Sequence, residues 1–162
     1  MLSLQDTSEH PATTAQVLRR FRVVFNAVRS HFQQVENQVG LGSAQVWALS
    51  VVRDQPGIGM GGLAKGMDIH QSTASNLVKA LLRKALIRMD KAPEDWRNVR
   101  LHILPSGIAV LDQVPGPFAG VLPLALGKLP QASLQRLDQD LAELIVLLKA
   151  DEQAGGIPLA EQ

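Results

Sequence analysis

The apolar residues of this chain recur at helical spacing over most of its length, and the period drops to two in one region only. Val17, Phe21, Val24, Phe25, Val28, Phe32 and Val35 mark one face of a long helix over residues 13–38. Leu134, Leu137, Leu141, Leu144 and Leu148 repeat in alternating steps of three and four, the heptad spacing of helices that pack against a partner. Between these runs, Leu86-Ile87-Arg88-Met89 and Val99-Arg100-Leu101-His102-Ile103 read as two short strands. The polar stretch from Asp90 to Asn98 joins them as a loop too long for a tight two-residue turn, so it should project. The pattern predicts a mainly α fold with a small β-hairpin.

The remaining elements follow from breakers and caps. Gly40 and Gly42 end the first helix, and Ser43 is a plausible N-cap for a second over residues 43–54. Gln55-Pro56-Gly57 stops that helix. A short helix over 61–67, a turn at Asp68-Ile69-His70 and a helix over 71–84 precede the hairpin. Ile58 is placed to form a minimal strand against it. Pro105 suits the first position of a helix over 105–114. Pro115-Gly116-Pro117 breaks or bends that helix before a second apolar piece at 121–129. Pro130 opens the last helix. Residues 1–12 and 151–162 read as loose tails. The 162 residues suffice for one domain with a real core.

Several function classes recede at this point. There is no cysteine, hence no disulfide framework, thiolate metal site or thiol redox sensor, which fits a reducing cytoplasm. Met1–Pro11 lacks the basic start and apolar run of a signal peptide, and no stretch approaches the roughly 20 apolar residues of a membrane span. His10, His31, His70 and His102 show no metal-ligand spacing, and no metal or cofactor is expected. No nucleophile–base constellation points to an enzyme. Gly57-Ile58-Gly59-Met60-Gly61-Gly62 matches G-x-G-x-x-G. The segment before it is helical, however, and no acid stands about 20 positions on, so it reads as a helix connection.

The net charge of +1 conceals an uneven distribution. Residues 63–104 hold eight basic and four acidic side chains, and the rest of the chain holds eight basic and eleven acidic ones. The basic quarter contains the helix over 71–84, in which Ala74, Leu77, Val78, Leu81 and Leu82 form one apolar face. Gln71, Ser72, Thr73, Ser75, Asn76, Lys79 and Arg83 lie away from that face. Short hydrogen-bonding side chains at a helix start can reach base edges in the major groove of B-DNA, and basic ones further along can reach phosphates. A polar solvent face on an amphipathic helix has the same pattern. The hairpin that follows separates the two readings. Its loop region carries Lys91, Arg97 and Arg100, as a wing beside a recognition helix would.

The stretch LAKGMDIHQSTASNLVKALLRKALIRMDKAPEDWRNVRLHILPSG resembles the winged helix-turn-helix of MarR (multiple antibiotic resistance regulator) family proteins. The match rests on the leucine-alanine start, the serine- and threonine-rich helix, and Asp95-Trp96-Arg97 in the wing, and it is best over residues 58–107. The resemblance implies a single domain. Residues 43–104 would form a DNA-binding lobe, and the helices at 13–38 and 105–150 would interlock two subunits. It implies a sequence-specific transcription regulator, a repressor rather than an activator, that binds pseudo-palindromic operator DNA as a homodimer. Asp95 would steady the wing while Arg97 enters the minor groove. The partners so implied are double-stranded DNA, a second copy of the chain and a small aromatic or anionic effector. Trp47, Phe21, Phe25 and Phe32 are candidates to line the effector's pocket, with Arg19, Arg20, Arg22 and Arg29 to hold an anion. The same aromatics also suit ordinary core and dimer packing. A winged-helix protein-interaction module that reads no DNA is the alternative.

The chain departs from the family pattern at four points. His70 stands where the recognition helix is often capped by serine, and histidine caps poorly. Asn76 stands where arginine is common, which would favour adenine over guanine. Leu104 replaces a frequent threonine, and Pro115-Gly116-Pro117 interrupts a helix that is commonly long.

Overall fold

In the computed structural model the second helix lies at the centre of the core, with Ala48, Leu49 and Val52 shut off from solvent. The structure describes residues 10–92 and 95–162, with side chains at all of these except 92 and 95–97. Helix α1 (Pro11–Val39) ends on Gly40, whose left-handed backbone (φ 68°) lets its N–H donate to Glu36 O. Helix α2 (Ser43–Asp54) follows, with Val46, Leu49 and Val52 fully buried. Gly42 occupies its N-cap position, so Ser43 is the first helical residue and not the cap predicted above.

Helices α3 (Met60–Met67) and α4 (Gln71–Arg83) pack on α2. Asp68, with φ 54°, makes the turn between them. Leu63 and Met67 of α3 meet Ala74, Leu77, Val78 and Leu81 of α4 in one continuous core with α2. The apolar face predicted for α4 is the buried one.

Strands β1 (Ile87–Ala92) and β2 (Asp95–Ile103) form an antiparallel hairpin that runs further than the sequence pattern suggests. Pairing continues through Asp90, Lys91 and Ala92 on one side and back to Asp95 on the other, with a bulge between Lys91 and Ala92. The region read as a long loop is therefore mostly strand. Period two explains the miss. Met89 opposite Leu101 and Ile87 opposite Ile103 face the core, but beyond them Asp90, Lys91 and Arg100 are exposed and only half-buried Val99, among the described side chains, continues the apolar face. Ile58 forms the expected minimal strand: Leu101 N–H donates to Ile58 O at 2.9 Å, and Gly57 N–H donates to Leu101 O at 2.9 Å.

Helix α5 (Pro105–Asp112) starts on Pro105 without a side-chain cap, as the loss of threonine at 104 leads one to expect. Ser106 Oγ donates instead to Ala85 O, which ties the start of α5 to the end of α4. Gly107 sits where this junction is tightest. A Cβ there would overlap Leu86 O and lie 2.8 Å from Ile103 Cγ1. Because one of the obstacles is backbone, Gly107→Ala is expected to destabilise the fold by about 1–3 kcal/mol. A fall in the thermal midpoint of a purified variant checks this, and an unchanged midpoint would show that the junction can open.

The chain turns irregular over 113–120, where Pro115-Gly116-Pro117 breaks the helix as predicted, and resumes as α6 (Val121–Leu126) and α7 (Gln131–Leu148). No described residue of α7 is buried. Residues 151–162 do not fray, contrary to expectation. They form two 3-10 turns, Glu152–Gly156 and Leu159–Glu161, which fold back so that Pro158 is buried and Ala160 packs against the core.

Candidate nucleic-acid interface

The face of α4 opposite the core carries the side chains that the sequence singled out. Ser72, Asn76, Lys79 and Arg83, spaced by four, three and four residues, form one exposed stripe. Gln71 is exposed at the first turn, while Thr73 and Ser75 are half-buried on opposite shoulders of the stripe. The arrangement places a hydroxyl and an amide toward the helix start, with two cations one and two turns further on. That order suits base edges first and phosphates second.

The hairpin projects beside this stripe. Arg100 is exposed and pairs across the strands with Asp90, whereas Lys91 pairs with Val99. Directly opposed residues share a face, so Lys91 and Arg100 stand on opposite faces of the hairpin. The outer face also holds Arg88 and His102. Arg88 Nη1 donates to both Asp90 carboxylate oxygens, at 2.5 and 2.6 Å, and His102 Nε2 lies 3.5 Å from the same carboxylate. Arg88 is thus partly neutralised within the hairpin, and among the described side chains Arg100 is the other cation on that face. Sequence reasoning counted Arg88 only as one positive charge. Reading the strand through to Asp90 would have placed the two side chains on one face. The side chains of Asp95 and Arg97, the expected wing-tip pair, lie outside the described residues.

His70, at the N-cap of α4, makes no side-chain cap. Its ring Nε2 lies 2.7 Å from Gln153 O, and its N–H donates to Gly156 O at 2.9 Å. Neither contact has a counterpart in the sequence reading.

Of the aromatic side chains proposed to line a pocket, Phe32 and Trp47 do so. With Val28, Phe118 and Ala160 they bound a cavity of about 70 Å³ between α1, α2 and the segment before α6. Phe21 and Phe25 pack on one another, with ring centroids 5.9 Å apart, and do not reach it. Arg19 and Arg20 border an open groove on α1 with Val23 and Val24, away from the cavity. Among the described residues, no cluster of histidine and acidic side chains could hold a metal ion, and no helix is long and apolar enough to cross a membrane.

This architecture has a match among known proteins. Residues 41–99 fit the sequence profile of the MarR family. Over these residues, from the end of α1 into the hairpin, the chain resembles the MarR family. A Thauera aromatica protein assigned as the transcriptional regulator of the hcr operon is 30% identical over 97 residues, 60% of this chain and 57% of that protein. The chain therefore spans just over half the length of that relative. The transcriptional repressor NicR of Pseudomonas putida is 27% identical over 142 residues, 88% of each chain. The fold is also that of Staphylococcus aureus MepR in its DNA complex. The TM-score is 0.55 at 21% identity, covering 80% of this chain and 96% of MepR. The helical core, the two-stranded hairpin and the connection through α3 and α4 thus follow the fold of MepR.

Proposed function

We propose that this protein is a sequence-specific DNA-binding transcription regulator, acting as a repressor and binding a pseudo-palindromic operator as a homodimer. The observation that carries the reading is the exposed stripe Ser72–Asn76–Lys79–Arg83 on a helix whose other face is locked into the core, beside a projecting hairpin that bears Lys91 and Arg100. The regulators among the relatives support it, and NicR's description as a repressor supports the direction. In this reading residues 43–104 form the DNA-binding lobe, α4 enters the major groove and Gln71, Ser72, Thr73, Ser75 and Asn76 face base edges. Lys79, Arg83, Lys91 and Arg100 meet phosphates, Arg97 enters the minor groove beside Asp95, and α1 with α5–α7 joins the subunits. A protein that reads the chromosome works in the cytoplasm, and this reading needs no enzymatic activity or cofactor.

The cavity bounded by Phe32 and Trp47 is the place for a small aromatic effector. At about 70 Å³ it would have to widen several-fold, since ligand pockets are commonly 300 Å³ or larger.

Selection of bound sequences from a random-duplex library at near-physiological salt tests the proposal. Enrichment of a palindrome with half-site centres about 10 bp apart is expected. A folded dimer that enriches no sequence would overturn it in favour of a protein-interaction module. On the selected site, Asn76→Ala is expected to cost about 1–3 kcal/mol at a single base position. Lys79→Ala should weaken binding evenly across sequences and lower the salt slope by about 1. Equal losses on selected and random DNA for Asn76→Ala would remove it from base readout.

A further inference from the structure

The first turn of an α-helix leaves backbone N–H groups without intrahelical partners, and a capping side chain usually steadies that turn. The recognition helix α4 has no such cap, because the ring of its N-cap residue, His70, is turned elsewhere. What holds His70 is the segment after α7, more than 80 residues away. Gly156 O accepts the His70 N–H at 2.9 Å. Gln153 O lies 2.7 Å from Nε2, and since a carbonyl only accepts, Nε2 carries the proton.

This segment is itself anchored. Gln153 N–H donates to Asp151 Oδ1 at 2.9 Å, Pro158 is buried, and Ala160 packs on the core beside the cavity lined by Phe32 and Trp47. Gly156 is matched to its place, since a Cβ there would overlap Nε2, Cε1 and Cδ2 of the ring. We propose that residues 151–160 position the recognition helix, with Gln153 and Gly156 acting on its first turn through His70 in place of a side-chain cap. The functional consequence rests on the DNA-binding reading above.

Base-edge contacts from Ser72 and Asn76 need the helix start held in place. Phosphate contacts from Lys79 and Arg83, one and two turns further on, tolerate a loose start. Loss of the strap should therefore reduce discrimination more than overall attraction to DNA.

The test is Gly156→Ala, which pushes the His70 ring off Gln153 and leaves the core intact. Binding to the selected duplex is expected to weaken about fivefold, the effect of losing a typical cap, with binding to random duplex unchanged. Amide hydrogen exchange at residues 74–76, which begin where Ala74 N–H donates to His70 O, should speed up. Adding His70→Ser to Gly156→Ala supplies a helix with its own cap and should restore both properties. Unchanged affinity and exchange in Gly156→Ala would overturn the proposal, as would a loss that His70→Ser does not recover. If the unmodified protein selects no sequence, the DNA-binding reading fails by itself. The exchange measurement still decides whether Gly156 holds the helix start.

Discussion

Leu101→Ala is expected to lower the free energy of unfolding by about 2–5 kcal/mol, a large share of the total for a domain of this size. Leu101 is 0% exposed and sits where three segments meet. Its backbone bridges Ile58, its cross-strand partner is Met89, and its side chain belongs to the cluster formed with Leu49, Leu63 and Leu81. The backbone hydrogen bonds to Gly57 and Ile58 do not depend on the side chain, so the register has no reason to shift and the site cannot easily collapse. The loss is then the transfer free energy of the removed carbons plus that of the cavity left behind. Chemical denaturation measures it. A change under about 1 kcal/mol would mean that the hairpin root repacks, and that the wing is less firmly joined to α2 and α4 than its burial indicates. Because Leu101 anchors the inner end of the hairpin, the variant should also weaken the wing's contribution to DNA binding at temperatures well below its midpoint.

The parts of this fold that were legible in the sequence are those whose side chains alternate between core and water. Ala74, Leu77, Val78 and Leu81 declared the inner face of α4, and by exclusion the outward stripe, because a helix with one buried face must show a 3.6-residue period. The hairpin was legible only as far as its inner residues touched the core. From Asp90 outward, Val99 alone among the described side chains continues the apolar alternation, so the pattern fades while the backbone pairing goes on. The strap on His70 left even less trace. Gln153 and Gly156 act through main-chain carbonyls, which carry no side-chain signature, and the Gly- and Ala-rich composition around them reads as a tail. The trace it did leave was negative: a histidine at the N-cap of the recognition helix, where a serine or aspartate would have needed no help. Ser43 shows the opposite error. A good capping residue sits one position too late, inside α2, where its hydroxyl is buried without a partner, and Gly42 takes the N-cap.

In the proposed operator-binding dimer, Leu141→Glu is expected to separate the subunits and to weaken operator binding by roughly 10²–10⁴-fold. The argument starts from what a single chain leaves uncovered. Phe25 on α1 is 64% exposed and Leu147 on α7 is 80% exposed, and the heptad leucines Leu137 and Leu141 are also exposed. Apolar stripes on two helices outside the core are unfavourable in water and mark an interface. Leu141 lies at the middle of the heptad run, so a symmetric pairing would bring two copies of it together or close to one another. A glutamate there would have to be buried unpaired in both copies, at a cost that a marginal interface cannot absorb. The chain itself should still fold, because no described residue of α7 belongs to the core cluster, and the helical circular dichroism signal should persist. Sedimentation then reports the oligomeric state, and titration of the selected duplex reports the affinity. Each monomer keeps an intact recognition helix and should retain weak, salt-dependent binding to a single half-site, so the loss is that of linkage between two half-sites and not of the contacts themselves. A variant that stays dimeric and binds with unchanged affinity would show that α7 faces solvent in the assembly and that the subunits join through other surfaces.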